Sequence, residues 1–265
     1  MPRALAATVV ALALAPAGAA AQTPLERFVP VVVHDSREQS PLTGVKAFAG
    51  VVPGVPDGTP QPTAYGRRTG KWLQYWLFYA AETQRTVGSG RHAGDWELVQ
   101  YEMRDGALVR GIYSQHDGAE RCSSDHIRTR SLHPVVFVAN GSHANYFVPG
   151  TRDRPWPEPN DVADGDGLRV RPGLVRISEQ TPPWMTFAGR WGEDGDSPRG
   201  PRFTAAWSDP DAFARTAMSC TRNGCDQLGE CDGRETRGAA IAAAFGALWA
   251  LFYGRRRIRR LPAGR

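Results

Sequence analysis

Three residues carry the clearest chemical signal in this chain. They are His92, Asp95 and Glu97, in the stretch Ser89-Gly90-Arg91-His92-Ala93-Gly94-Asp95-Trp96-Glu97-Leu98-Val99-Gln100-Tyr101. Gly88, Gly90 and Gly94 punctuate a turn, and from Asp95 to Met103 the aromatic and β-branched residues read as a strand. Side chains alternate along a strand, so Asp95 and Glu97 share one face with Val99, Tyr101 and Met103, about 7 Å apart. Two carboxylates on an otherwise apolar face need a compensating charge, because burying an unpaired ion costs several kcal/mol. A divalent cation would supply it, and His92 can reach the same point from the preceding turn. The ligand set suits Zn or Mn, or Ca or Mg if further oxygens join. Spacing alone favours a plainer alternative, with both carboxylates solvated at the mouth of a strand and His92 a turn residue.

Two further histidines are candidates for acid–base work. The run Pro134-Val135-Val136-Phe137-Val138-Ala139 ends in Asn140-Gly141-Ser142-His143-Ala144, and the strand at 107–113 ends in Ser114-Gln115-His116-Asp117-Gly118. Two strands ending in polar loops, near a third that begins with His92, could gather three imidazoles at one end of a sheet. Each of His116 and His143, taken alone, is more often a hydrogen-bonded loop residue. His34, His126 and His133 have no such setting and read as structural or surface residues. Asp161-Val162-Ala163-Asp164-Gly165-Asp166-Gly167 alternates Asp with Gly, a pattern that can wrap oxygens around Ca, which makes Asp164 and Asp166 weaker ligand candidates. The bidentate Glu of an EF-hand loop is missing, so a solvated loop is the favoured reading there.

The elements that must position these residues are mostly strands. Phe28 to Val33 is a short apolar strand. The next forty residues hold Pro53, Pro56, Pro60 and Pro62 among many Gly and predict long loops. Lys71 to Ala80 is aromatic on both faces and reads as a central strand buried on both sides. Strands at 95–103 and 107–113 are joined by Arg104-Asp105-Gly106, a hairpin turn, and another strand covers 134–139. No helical periodicity interrupts them, which predicts a mainly β domain, an antiparallel β-sandwich with long loops. Asp209 and Pro210 cap one short helix running to about Ser219.

The chain ends lie outside that domain. Residues 1–21 carry Arg3, an apolar run to Ala15 and small residues ending in Ala21, the pattern of a signal peptide. The exported domain covers 22–220 and a cysteine-containing stalk covers 221–237. Residues 238–254 form an apolar helix that reads as a transmembrane anchor, and 255–265 a basic tail, which places the C-terminus in the cytoplasm. Seven of the 32 basic residues lie in 1–21 and 255–265, where there is no Asp or Glu, so 25 basic residues face 27 acidic ones elsewhere. The basic balance therefore belongs to the tails and argues against nucleic acid as a partner. Cys122, Cys220, Cys225 and Cys231 suit two disulfides in an exported domain, and three pairings remain open. Their spacing lacks the paired C-x-x-C of zinc sites. No nucleophile elbow, phosphate loop, H-E-x-x-H or dinucleotide fingerprint occurs.

Tyr75 to Tyr79, Arg91 to Glu97, Tyr113 to His116, His133 to Ala144, Asp161 to Gly167 and Gly189 to Pro201, in order over about residues 70–207, resemble the vacuolar protein sorting-associated protein 62 family. That family implies little about activity. More distantly, His92-Ala93-Gly94-Asp95-Trp96-Glu97 is similar to the heptapeptide of the necrosis- and ethylene-inducing-like proteins. Those are secreted β-sandwiches in which the corresponding His, Asp and Glu bind Ca or Mg and help engage sphingolipid sugar head groups. The resemblance implies metal ligands at His92, Asp95 and Glu97, and favours Ca or Mg over Mn or Zn. Ala93 and Gly94 stand where that family has Arg and His, and Glu82 is only a candidate for its further upstream Asp, so toxicity does not carry over. The reading that results is an exported, membrane-anchored domain that binds a divalent metal and, through it, a glycan or phosphate head group. A metal-dependent hydrolase of ester or phosphoester substrates, with His116 or His143 as base or acid, is the rival. A structural surface protein without metal is the third.

Overall fold

The computed structural model describes residues 22–84, 90–116, 118–154, 158–193 and 195–220. The segments expected from sequence to be signal, stalk, anchor and tail, with Cys225 and Cys231, lie outside these residues. Among the described residues no helix is long and apolar enough to cross a membrane.

The chain enters through α1 (Pro24–Arg27), a single turn closed by a capping box between Thr23 and Glu26. Then comes β1 (Val31–His34). Five strands follow in sequence and pair antiparallel with their neighbours. They are β2 (Thr63–Thr69), β3 (Trp72–Glu82), β4 (His92–Arg104), β5 (Ala107–Gln115) and β6 (Gly118–Ser123). Shorter pieces come next: β7 (Thr129–Arg130), β8 (His133–Val138), β9 (Asn145–Tyr146), β10 (Gly150–Arg152), β11 (Asp161–Ala163), β12 (Arg169–Val170) and β13 (Gly173–Arg176). Two short helices, α2 (Ala205–Ser208) and α3 (Pro210–Thr216), precede β14 (Met218–Ser219).

These strands build a seven-stranded sheet, ordered β13-β2-β3-β4-β5-β6-β14, and a smaller sheet, ordered β12-β1-β8-β7, with β9 also on β8. The mainly β reading holds, but the sheets are mixed rather than antiparallel. β13 runs parallel to β2, β14 parallel to β6, and β1 parallel to β8. The reason is connectivity: a short turn forces antiparallel pairing only on consecutive strands, and these three pairs join segments far apart in sequence. The Pro-rich stretch is not all loop, since Thr63–Thr69 forms β2. Among the described residues there are three short α-helices where one was expected, and α3 ends at Thr216 rather than Ser219. Its start is as read, with the Asp209 side chain accepting from the Ala212 amide at 2.8 Å.

The two sheets bury a shared core. Val32 of β1 and Val136 and Val138 of β8 pack against Leu77, Tyr79, Val99, Tyr101 and Tyr113 of the large sheet. The outer face of that sheet carries Trp76, Phe78, Trp96 and Leu98, covered by Trp184, Trp191 and Trp207. β3 is thus buried on both sides over Trp72–Tyr79, as its aromatic pattern requires. Cys122 and Cys220 form a disulfide that ties β6 to the residue after β14, one of the pairings left open by the sequence.

Candidate functional site

The site grows from the register of β3 on β4. Leu77 faces Glu97, Tyr79 faces Asp95 and Glu82 faces His92. Asp95 and Glu97 point inward with Val99 and Tyr101, at the point where the hydrophobic core gives way to polar residues. Gly94 lies within β4 just before them. Its φ is +68°, and a Cβ there would stand 2.1 Å from the Trp191 carbonyl oxygen. Only glycine fits this approach, which sets how His92 enters the strand. The His92 ring then bonds to the Gly94 carbonyl through Nδ1 at 2.8 Å, and its Nε2 lies 2.8 Å from Glu82 Oε2.

The loop after β8 supplies the opposite wall. His143, fully buried with φ +53°, donates from Nδ1 to Asp95 Oδ2 at 2.7 Å. Its Nε2 sits 3.6 Å from Glu38 Oε1, an ion pair just beyond hydrogen-bond reach. Its ring stacks on Tyr79 at 3.9 Å between centroids. Burial alone would lower the imidazole's pKa, but Asp95 and Glu38 outweigh it and hold it up at about 9. Glu38 shows the reciprocal effect. Burial pushes its carboxyl up, yet His143 and the amides of Gly141 and Ser40 bring it down to about 2.

The other carboxylates are held less comfortably. Glu97 Oε2 accepts from the Ser114 hydroxyl and from Asn145 Nδ2 at 3.2 Å. Burial, and then the Asp95 charge, push Glu97 well above the usual carboxylate range. Glu82 is raised by burial, with His92 acting against it and Asp95 reinforcing it. Burial opposes a charged His92, and Glu82 outweighs burial to raise it. Tyr79 Oη and Asn145 Oδ1 are buried without a hydrogen-bond partner among the described residues, and His143 Nε2 has only the Glu38 ion pair.

A second group lies beside the first and shares its loop. His116, with φ +51°, places Nε2 2.7 Å from Asp161 Oδ2. Asp161 is buried and also accepts from Tyr146 Oη at 2.6 Å, Ser142 Oγ at 2.8 Å and Gln84 Nε2 at 3.2 Å. Burial raises the Asp161 carboxyl, and these bonds, His116 first, pull it below its ordinary value. The loop 139–146 therefore links both groups, with Ser142 on Asp161, His143 on Asp95 and Asn145 on Glu97.

Asp95, Glu97 and His143 come together, with His92 joined to Glu82 at their edge. His116 belongs to the neighbouring group, so the three imidazoles do not meet at one point. Asp164 is held elsewhere: its carboxylate accepts from the Ser36 amide at 2.9 Å and the Ser36 hydroxyl, and from the Asp166 amide at 3.0 Å. Neither Asp164 nor Asp166 bonds to the Asp95 group. Among the described residues no three His, Cys, Asp or Glu side chains are placed to hold a metal together. The donor set is still of the right chemistry: carboxylates, an imidazole and the unpartnered Asn145 carbonyl oxygen. Sequence reasoning missed Glu38, Tyr79, Asn145 and Asp161. Asn145 had a signal, two residues after His143 on the same polar loop; Glu38 had none. Asp161 opens an alternating Asp-Gly run that lacks the bidentate Glu of a calcium loop, a pattern that reads as a solvated loop.

No family model and no curated protein matches the chain, so the resemblance to the vacuolar protein sorting-associated protein 62 family gains no support. Solved structures of necrosis- and ethylene-inducing-like proteins are similar to it. One, described as NLPPya in complex with mannosamine, is 14% identical, with a TM-score of 0.44 over 71% of this chain and 87% of its own. A second, with glucosamine, is 13% identical, with a TM-score of 0.44 over 72% and 88%. A third, Necrosis and Ethylene inducing Protein 2 from the causal agent of cocoa's Witches Broom disease, is 14% identical, with a TM-score of 0.36 over 62% and 77%. Similarities of this size assign no family.

Proposed function

We propose that this is an exported domain, held at the membrane by residues 238–254, that binds a polar ligand such as a glycan or phosphate head group at the Asp95 group. In this proposal a divalent cation, Ca or Mg before Mn or Zn, sits against Asp95 and Glu97, with His92 as third ligand and Glu82 and Asn145 at hand. The observation that carries the reading is the crowding of Glu82, Asp95 and Glu97 in a buried setting where Tyr79 Oη and Asn145 Oδ1 lack partners. A cation would offset the burial, and the added Asp95 charge, that raise Glu82 and Glu97, and its remaining coordination positions would take hydroxyl or phosphate oxygens. His92 would have to release Glu82 to take part. Elemental analysis of the purified protein beside the triple variant His92→Ala, Asp95→Ala, Glu97→Ala tests this. About one ion per wild-type chain and none in the variant supports it; equal metal in both removes it.

One observation favours a second reading, a metal-dependent hydrolase. Asp161 fixes Nε2 of His116, as an orienting carboxylate does for a general base, and leaves Nδ1 for a proton. Turnover of generic ester and phosphodiester substrates, lost in His116→Ala, would select it over the binding role.

A further inference from the structure

We propose that the cavity on the outer face of the seven-stranded sheet is a binding site for a small organic anion with an apolar body, separate from the Asp95 group. The cavity holds about 260 Å³ and is lined by Tyr65, Val175, Pro182 and Trp184, with Lys46 and Gln61 supplying polar groups. Tyr65 packs with Trp96 on the outer face, whereas Asp95 and Glu97 point inward, so the sheet stands between the two sites.

The walls are fixed. Tyr65 Oη accepts from the Val45 amide at 2.8 Å, and its ring meets Trp184 edge-on at 5.2 Å between centroids. Gly44 on the cavity wall has no room for a side chain. A Cβ on Gly44 would stand 2.6 Å from the Gln61 carbonyl oxygen and 3.1 Å from Thr63 Oγ1. Lys46 is exposed, and its Nζ would stand 3.0 Å from a Cβ on Gly58, so the ammonium lies beside bare backbone. No carboxylate among the described residues pairs with Lys46. By contrast Lys71 reaches Glu102 and Asp211, and Arg67 is stacked on Trp207.

Apolar walls beside one uncommitted ammonium recognise an apolar body that carries a single anionic group. The volume lies below the roughly 300–1,000 Å³ of sites that hold drug-sized ligands, which limits the occupant to one ring or a short acyl chain. A carboxylate satisfies Lys46, and its amide keeps the shape without the charge.

The test is calorimetric titration of the full-length chain with 3-phenylpropionate and 3-phenylpropanamide. The proposal requires saturable one-to-one binding of the carboxylate, with the amide about tenfold weaker. Lys46→Gln should weaken the carboxylate to the level of the amide. Val175→Trp, at an exposed edge-strand position, should abolish both while leaving the melting temperature unchanged; Gln61→Trp serves the same purpose if that variant does not fold. Absence of saturable binding at millimolar concentration overturns the proposal, as does equal affinity for acid and amide, or unaltered binding in Lys46→Gln.

Discussion

His143 lies flat on Tyr79, the rings 3.9 Å apart and 5° from parallel, while its Nδ1 bonds to Asp95 at 2.7 Å. One residue from the loop after β8 thereby joins the core strand β3 to the acidic residues of β4. Removing the imidazole leaves Asp95 and Glu38 buried without their partner, a change that costs about 3–5 kcal/mol. His143→Ala should lose stability in that range by denaturant unfolding. Tyr79→Phe keeps the stack and deletes a hydroxyl that has no partner, so it should change stability by less than about 1 kcal/mol in ion-free buffer.

Gly94 is predicted to be the most intolerant glycine near the site. A methyl there meets the Trp191 carbonyl oxygen at 2.1 Å in a left-handed backbone. Gly94→Ala should therefore cost about 3 kcal/mol or more, combining a clash with backbone strain. Gly106→Ala, with φ +77° and nothing within 4 Å, isolates the backbone effect and should cost about 1 kcal/mol.

Acid should loosen the site through Glu38. Its folded pKa, near 2, is depressed below the ordinary 4.5, so its contribution is full above pH 4.5 and disappears as pH falls towards 2. A stability profile over that window should be steeper for the wild type than for Glu38→Gln. Parallel profiles would show that Glu38 does not hold this loop.

The Cys122–Cys220 bridge spans 98 residues of sequence. Closing a loop of that length restricts the unfolded chain by about 4–5 kcal/mol in the chain-entropy treatment. The double variant Cys122→Ala, Cys220→Ala should lose about 2–5 kcal/mol in chemical unfolding while retaining the β-sheet signature by circular dichroism.

The inward face of β4 is legible in the sequence because period-two alternation fixes it, putting Asp95, Glu97, Val99 and Tyr101 on one face. The double burial of β3 was legible for the same reason, from aromatics on both sides of Trp72–Tyr79. What could not be read was pairing between distant segments. Parallel β1 on β8 depends on nothing local to Val31–His34, and β2 was hidden among prolines that lie before it. Glu38 and Asp161 were invisible as site residues because their burial comes from neighbours more than 40 residues away, His143 for one and His116 for the other. His116 and His143 stand out in the sequence as loop-end histidines, and the fold sorts them into two adjacent groups rather than one.

Charge neutralisation at Glu97 should separate the ion site from the fold. Glu97→Gln keeps the shape and the Asn145 and Ser114 contacts while removing a carboxylate that Asp95 and burial already disfavour. In chelator its stability should equal or exceed the wild type's, and the response to added divalent ion should vanish.

The most direct test of the cation at Asp95 and Glu97 is the melting temperature of the purified protein in chelator and then in excess Ca, Mg, Mn or Zn. Saturation at 100 times the dissociation constant adds about 2.7 kcal/mol, which for a domain of this size raises the midpoint by about 5–10 °C. The account predicts a rise of that order with at least one ion, absent from His92→Ala, Asp95→Ala, Glu97→Ala. A midpoint unmoved by every ion, or moved equally in that variant, would contradict it.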